Sequence, residues 1–223
     1  MDELQYRITL RAWITERLER HPKALRIPSN KLDIFIVRDF LDERDCTELI
    51  DLIDADREPS KLLSQTYDAE FRTSDSCNLN PYDETVIRIE GKLSDLIGID
   101  PVQGETIQGQ RYAVGQQFKA HYDFFHQGED YWEDMQKSGG QRTWTAMVFL
   151  NDVESGGETF FEHAAVKVTP RRGNLLTWNN MDAWGQCNSY ALHQGMPVIA
   201  GTKYIITKWF RERPWSWTEV RAY

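Results

Sequence analysis

Cysteine is scarce in this chain, with 3 in 223 residues. Cys46, Cys77 and Cys187 stand far apart and form no C-x-x-C pair, so neither a disulfide framework nor a thiolate zinc site is on offer. They read as reduced thiols. Long apolar runs are also missing, which excludes a spanning helix of the usual kind. Met1 to Gln5 is polar and no apolar stretch follows it, unlike a secretory leader. The expectation is a cytoplasmic protein with no membrane partner. Positive charge is in deficit: 26 Lys and Arg against 35 Asp and Glu leave a net charge of −9. A nucleic-acid partner is disfavoured, because the phosphate backbone would be repelled by that average. No internal repeat and no low-complexity segment interrupts the chain.

What is present divides in two. Residues 4–19 carry apolar positions at four-residue steps and predict a helix that His21-Pro22 ends. A strand is expected over 32–37. A helix capped by Asp42 should follow, with Cys46, Leu49, Ile50 and Ile53 on one face. Residues 60–81 are polar and aperiodic and read as a loop. Residues 83–97 predict a third helix stopped by Gly98. From Glu105 the pattern changes to short strands, expected at 106–112, 117–123, 143–150, 158–161, 166–169, 174–178, 191–193 and 203–210. Residues 127–141, acidic and with two glycines at the end, read as a mobile surface loop. The fold class is mostly β with helices (α+β): an antiparallel barrel or jelly roll with helices packed on one outer face. Residues 1–223 are expected to form a single domain, with 1–104 mainly helical support and 105–213 the core.

Of the 5 histidines, two have company that suggests chemistry. His121-Tyr122-Asp123 on an extended strand would project an imidazole and a carboxylate from one face. With the distant His193, the set becomes two imidazoles and a carboxylate. That is a facial triad for non-haem Fe(II), with positions open for substrate and oxygen. The same ligands also suit Zn²⁺ in a hydrolase, or a metal in a non-enzymatic binding module. Strand parity puts Lys203, Ile205, Thr207, Trp209 and Arg211 on one face and Lys208 on the other. If the first face points inward, its buried cations ask for an anionic partner. The Gly156-Gly157 turn leaves Thr159 with its hydroxyl free for a ligand.

These elements, in this order, resemble the prolyl 4-hydroxylase branch of the 2-oxoglutarate- and Fe(II)-dependent dioxygenases. The resemblance spans residues 32–211. It rests on a strand and helix with Cys46, then Arg72-Thr73-Ser74, Tyr112 ahead of His121, and Gly115-Gln116. Arg142, the Gly156–Phe161 turn, His193-Gln194-Gly195-Met196-Pro197-Val198 and Gly201-Thr202-Lys203 complete it. It implies a double-stranded β-helix (jelly roll) with N-terminal supporting helices. It further implies Fe(II) held by His121, Asp123 and His193, and 2-oxoglutarate held by Lys203 with Tyr112 and Thr159. O₂ is the oxidant and ascorbate the candidate reductant. Arg142, Trp209, Arg211, Phe118, Arg72, Thr73 and Ser74 fall where such enzymes meet substrate. Phe118 stands where relatives often have Tyr, and Arg211 where several have His. The implied reaction is hydroxylation of an unactivated C–H bond, with release of succinate and CO₂. The first candidate substrate is a prolyl residue of a protein or peptide, and the alternative is a free amino acid or small metabolite. Oligomeric state is left open.

Overall fold

The structure is a computed structural model and describes residues 2–62 and 68–215. The elements run α1 (Glu3–Arg20), β1 (Ala24–Arg26), β2 (Ile34–Val37), α2 (Glu43–Asp56), β3 (Glu58–Pro59), β4 (Asp75–Asn78) and α3 (Glu84–Ile97). The second half runs β5 (Gln108–Tyr112), β6 (Phe118–His121), α4 (Trp132–Lys137), β7 (Arg142–Phe149), β8 (Ser155–Gly156) and β9 (Thr159–Phe161). It closes with β10 (Val166–Val168), β11 (Leu175–Asn179), β12 (His193–Gly195), β13 (Val198–Ala200) and β14 (Lys203–Arg211).

The strands pair antiparallel into an eight-stranded sheet, β1-β2-β11-β7-β14-β5-β4-β3, and a four-stranded sheet, β10-β9-β12-β6, with β8 and β13 a separate pair. Alternation along β7 explains how the sheets stack. Met147 and Phe149 point to one face and join Ile205, Tyr112, Leu176 and Trp178 against Phe161, Val166 and Val168 of the smaller sheet. Trp144, Ala146 and Val148 point to the other face and meet Ile14 and Leu18 of α1, Leu49 and Ile53 of α2, and Val86, Ile89 and Leu93 of α3. One face of the large sheet therefore builds the inter-sheet core and the other seats the helices. The expected jelly roll with helical support is what forms.

The helices begin and end for local reasons. Asp2, Asp42 and Asp83 accept backbone N–H bonds at the three N-termini. Gly98 ends α3 at φ +82°, a conformation that a side chain disfavours. Gly109 lets α2 lie directly on β5, since a Cβ there would collide with Ile53.

Several expectations need correction. Residues 60–81 contain β4, which pairs with β5 from Asp75↔Arg111 to Asn78↔Gln108; residues 63–67 of that stretch lie outside the described ones. Asp-Ser-Cys-Asn has poor strand propensity, and its partner strand imposes the conformation. β1, β3, β8 and β13 are further strands too short to announce themselves, and β1 to β4 mean that residues 1–104 supply sheet as well as helices. A 3₁₀ turn occupies Ser189–Ala191, so β12 starts at His193 rather than ending there. Residues 127–141 hold α4, with Met135 buried, and are packed where a loop was expected. Among the described residues no helix is long and apolar enough to cross a membrane.

On the helix-covered face, Lys208 is buried at 2 % exposure and pairs with Glu90 of α3. Removing the carboxylate strands an ammonium among apolar side chains. Glu90→Gln should therefore lower stability by about 2 kcal/mol, the cost of breaking a buried pair discounted for Glu90's partial exposure. Lys208→Met in the same background should recover most of it. Urea unfolding of the three proteins measures both; equal stability of Glu90→Gln and wild type would refute the pairing's importance.

Candidate metal and co-substrate site

Three groups that can bind a metal meet between the sheets. His121 ends β6 and His193 opens β12, and these two residues face each other in the strand register. Asp123 lies two residues past the end of β6, so strand parity does not bring it in. Its side chain is drawn to β7 instead, where the Thr145 hydroxyl donates to Oδ2 at 2.7 Å. The other oxygen, Oδ1, lies 3.8 Å from His121 Nε2 and 3.9 Å from His193 Nε2. All three ligand atoms fall within 4.8 Å of one another. Each imidazole is aimed by its far nitrogen: His121 Nδ1 is 2.8 Å from the Lys119 carbonyl, and His193 Nδ1 is 2.9 Å from the Ala191 carbonyl. With those nitrogens donating, both Nε2 lone pairs are directed inward, as a metal requires.

Charge in the site follows from burial. Burial pushes His121 down to about 3, and neighbouring His193 adds to the effect, so the ring is neutral at physiological pH. Burial alone would raise Asp123, but His193, His121, Arg142 and the Thr145 hydroxyl outweigh it and leave the carboxyl ionised. Neutral imidazole and ionised carboxylate are the forms that bind a divalent cation.

A second group lies beside the triad. Lys203, at 1 % exposure, puts Nζ 5.1 Å from the Tyr112 ring centre and 5.8 Å from that of Phe149. Among the described residues no carboxylate comes within ion-pair distance of it. Burial pushes its ammonium down to about 7, opposed by the more distant Glu158. Lys203 pairs across the sheet with Tyr112. Thr159 pairs with Gly195 on the opposite sheet, and Nζ lies 3.8 Å from where a Gly195 Cβ would sit. Among the described residues the buried Thr159 hydroxyl has no hydrogen-bond partner. An unpaired buried cation and an unpaired buried hydroxyl next to three metal-binding groups fit a metal chelated by an organic dicarboxylate.

The expected substrate-side residues divide. The Phe118 ring stacks on His121, centroids 3.6 Å apart, and the Arg72 guanidinium lies 4.7 Å from the Phe118 ring centre. Thr73 is tied to Gln117 through backbone and side chain, and Ser74 is buried near Tyr112. The Arg142 guanidinium sits 4.1 Å from the Trp209 ring centre and reaches the Asp123 carbonyl at 3.4 Å. Arg211 is different. It is enclosed, paired with Glu105 at 2.8 Å and donating to the Met135 carbonyl at 2.7 Å, so it braces α4 and offers no open face to a substrate.

Residues not anticipated support these. Glu105 binds Arg142 in a fork, at 2.6 and 2.7 Å, and shares one oxygen with Arg211. The two guanidiniums overcome the upward push of burial and keep it ionised. Thr145 accepts from Asn180, whose amide oxygen accepts from the Trp178 indole. The inference that buried arginines need an anion was the available signal for Glu105; a lone Thr on an apolar strand gave none.

Comparison with known proteins agrees with this geometry. Residues 107–211 match the 2OG-Fe(II) oxygenase superfamily. Prolyl 4-hydroxylase 5 of Arabidopsis thaliana is 32% identical over 199 residues, covering 78% of this chain and 67% of that protein. Prolyl 4-hydroxylase subunit alpha-1 of Rattus norvegicus is 33% identical over 160 residues, covering 71% of this chain but 29% of that longer protein. The crystal structure of the viral collagen prolyl hydroxylase of Paramecium Bursaria Chlorella virus-1, a 2OG complex, superposes with TM-score 0.64. It is 26% identical, covering 80% of this chain and 95% of that one.

Thr145→Val should keep the fold but leave Asp123 without its orienting donor. Divalent-metal affinity is expected to fall about 10- to 100-fold, read by calorimetric titration of the metal-free protein with Mn²⁺; an unchanged affinity would refute the orienting role. The two imidazoles aimed at the ionised Asp123 and the unpaired Lys203, together with these matches, make the chain a member of the prolyl 4-hydroxylase-like 2OG-Fe(II) oxygenases, an enzyme family.

Proposed function

We propose that this protein hydroxylates a prolyl residue of a protein or peptide, with residues 1–223 acting as one catalytic domain. The observation that carries the co-substrate half of this reading is Lys203, a buried cation without a counter-anion beside a triad of metal-binding groups. A zinc hydrolase gives that lysine no task, whereas a chelating keto diacid supplies the missing charge.

In this reading His121, Asp123 and His193 would hold Fe(II), and Lys203 would take the far carboxylate of 2-oxoglutarate, aided by the hydroxyls of Thr159 and Tyr112. When bound with O₂, that pair supplies the oxidising chemistry that places oxygen on an unactivated C–H bond and releases succinate and CO₂, with ascorbate as the candidate reductant. The chain contributes position and exclusion of water. Phe118 covers one face of His121. Arg142, fixed by Glu105 and stacked on Trp209, would meet the substrate peptide. The Trp209 indole N–H, buried and without a partner among the described residues, would donate to a peptide carbonyl there. Arg72-Thr73-Ser74 would form the other wall. The prolyl substrate is supported by the relatives' names, and a cytoplasmic setting by the free thiols of Cys46, Cys77 and Cys187.

Anaerobic addition of Fe(II) and 2-oxoglutarate should give a visible metal-to-ligand charge-transfer band, and aerobic incubation with proline-containing peptides should add one oxygen with matching succinate release. Folded protein that gives no band would overturn the assignment; a band without peptide oxidation would exclude the peptides tried.

The state of Lys203 also sets a pH dependence. Its free-site pKa is lowered to about 7, and a bound carboxylate raises it, so binding the diacid above that pH requires proton uptake. Affinity for 2-oxoglutarate should hold below about pH 7 and then fall by up to about tenfold per pH unit. Band titrations between pH 6 and pH 9 measure it, and a flat profile would contradict the charge assigned to Lys203.

A further inference from the structure

β5 presents Gln108, Gln110 and Tyr112 at alternate positions, and β14 faces them in register with Thr207, Ile205 and Lys203. Three polar side chains on one buried strand face are unusual, and here they are bonded in series. The Tyr112 hydroxyl donates to Gln110 Oε1 at 2.7 Å. Gln110, only 4 % exposed, donates from Nε2 to Gln108 Oε1 at 3.2 Å and to the Thr207 hydroxyl at 3.3 Å. Gln108 Oε1 also accepts from Arg72 Nη2 at 2.8 Å. The series starts at a phenol 5.1 Å from the unpaired ammonium and ends on the segment that walls the substrate side. That segment is stitched to β6 by backbone bonds from Thr73 to Gln117 and from Lys119 to Phe71.

We propose that Gln110 and Gln108 are positioning residues that relay occupancy of the co-substrate pocket to Arg72, and so tighten the 71–74 segment when the diacid binds. The inference rests on the reading of Lys203 and Tyr112 as that pocket. The logic is one of counting donors and acceptors. Tyr112 has one proton, now given to Gln110. A carboxylate arriving at Lys203 claims that proton, because a charged acceptor makes the stronger bond. Gln110 Oε1 is then buried without a donor, and rotation of the amide repairs this: Nε2 turns to the phenol oxygen and Oε1 takes the Thr207 proton, while Gln108 Oε1, now facing an acceptor, is pushed away from Gln110 toward Arg72. Gln108 Oε1, formerly shared between two donors, is left to Arg72 alone. The guanidinium bond shortens, and the segment that Arg72 belongs to is held more firmly against β5. Arg72 also lies against Phe118, which stacks on His121, so the tightened segment borders the metal-binding groups directly.

The test is hydrogen–deuterium exchange of residues 69–75 in the full chain loaded anaerobically with Fe(II), with and without saturating 2-oxoglutarate, while the charge-transfer band reports binding independently. In wild type the diacid should slow exchange at Arg72, Thr73 and Ser74 by about threefold or more. Gln108→Leu breaks the last link and leaves Tyr112 untouched: the diacid should bind with affinity within about threefold of wild type while the exchange response disappears. Gln110→Leu breaks the middle link and should also lose the response, so either variant suffices if the other misfolds. A structural role alone would change baseline exchange and leave the response in place. Unchanged exchange in wild type with the band present overturns the relay, as does a full response in a folded variant. A band that never forms overturns the co-substrate reading and the relay with it.

Discussion

The Thr145 hydroxyl bonded to Asp123 Oδ2 ties together parts of the chain that share no strand pairing. Asp123 lies just outside β6, and a buried carboxylate left there without donors would be expelled or protonated. Held by Thr145, it brings its other oxygen to both imidazoles. Thr145 is set in turn by Asn180, which also receives the Trp178 indole N–H, so the anchor reaches across β7 into the residues after β11. On the far side the Asp123 carbonyl meets Arg142, Arg142 meets Glu105, and Glu105 meets Arg211, which holds α4 by the Met135 carbonyl. Moving Asp123 would disturb each of these contacts.

The two lysines of β14 show one physical rule producing two outcomes. Both are buried, and a buried ammonium is stable only with a partner. Lys208 faces the helices and has Glu90, so it joins α3 to the sheet. Lys203 faces the second sheet and is ringed by Tyr112, Phe149 and glycine backbone, which stabilise a cation weakly. Its unmet demand for an anion is the property that the proposed diacid would satisfy. Placing a carboxylate near it would stabilise the free protein and block the ligand.

What could be read beforehand follows the reach of each signal. Period-two alternation on β14 separated Lys203 from Lys208 correctly, because that strand is nine residues long and buried on both sides. The helices were legible from apolar spacing, the Asp42 cap and the stops at His21-Pro22 and Gly98. β4 was not, since Asp75-Ser76-Cys77-Asn78 buries only Cys77 and takes its conformation from β5. α4 is six residues with one buried side chain, too short for any period to show. The pairing of His121 with Asp123 was anticipated for a reason that does not hold: strand parity fails where β6 ends, and the Thr145 hydroxyl does the aiming. Thr145, Asn180 and Glu105 act through partners distant in sequence, so nothing near them in the chain announced them.

The division between rigid and variable parts of the site follows from the same geometry. Tyr112, Thr159 and Lys203 all sit on strands in fixed register, so these three groups cannot drift without breaking a sheet. The 71–74 segment, the chain after Asp123 and the α4 region lie outside the named strands, and side chains as well as single backbone bonds hold them. Arg211 shows what one change there can do. Its planar fork bonds Glu105 and the Met135 carbonyl while lying near the Ser138 hydroxyl, a set that the two nitrogens of an imidazole could not serve together. A residue expected to meet substrate is thus a brace whose guanidinium faces inward. Two residues before Arg211 on the same strand, Trp209 instead lies against Arg142. Glu105 holds Arg142 and Gln108 holds Arg72, so under the proposed reading a peptide meeting that stacked pair and the 71–74 segment would be selected by residues that β5 and its approach keep in place.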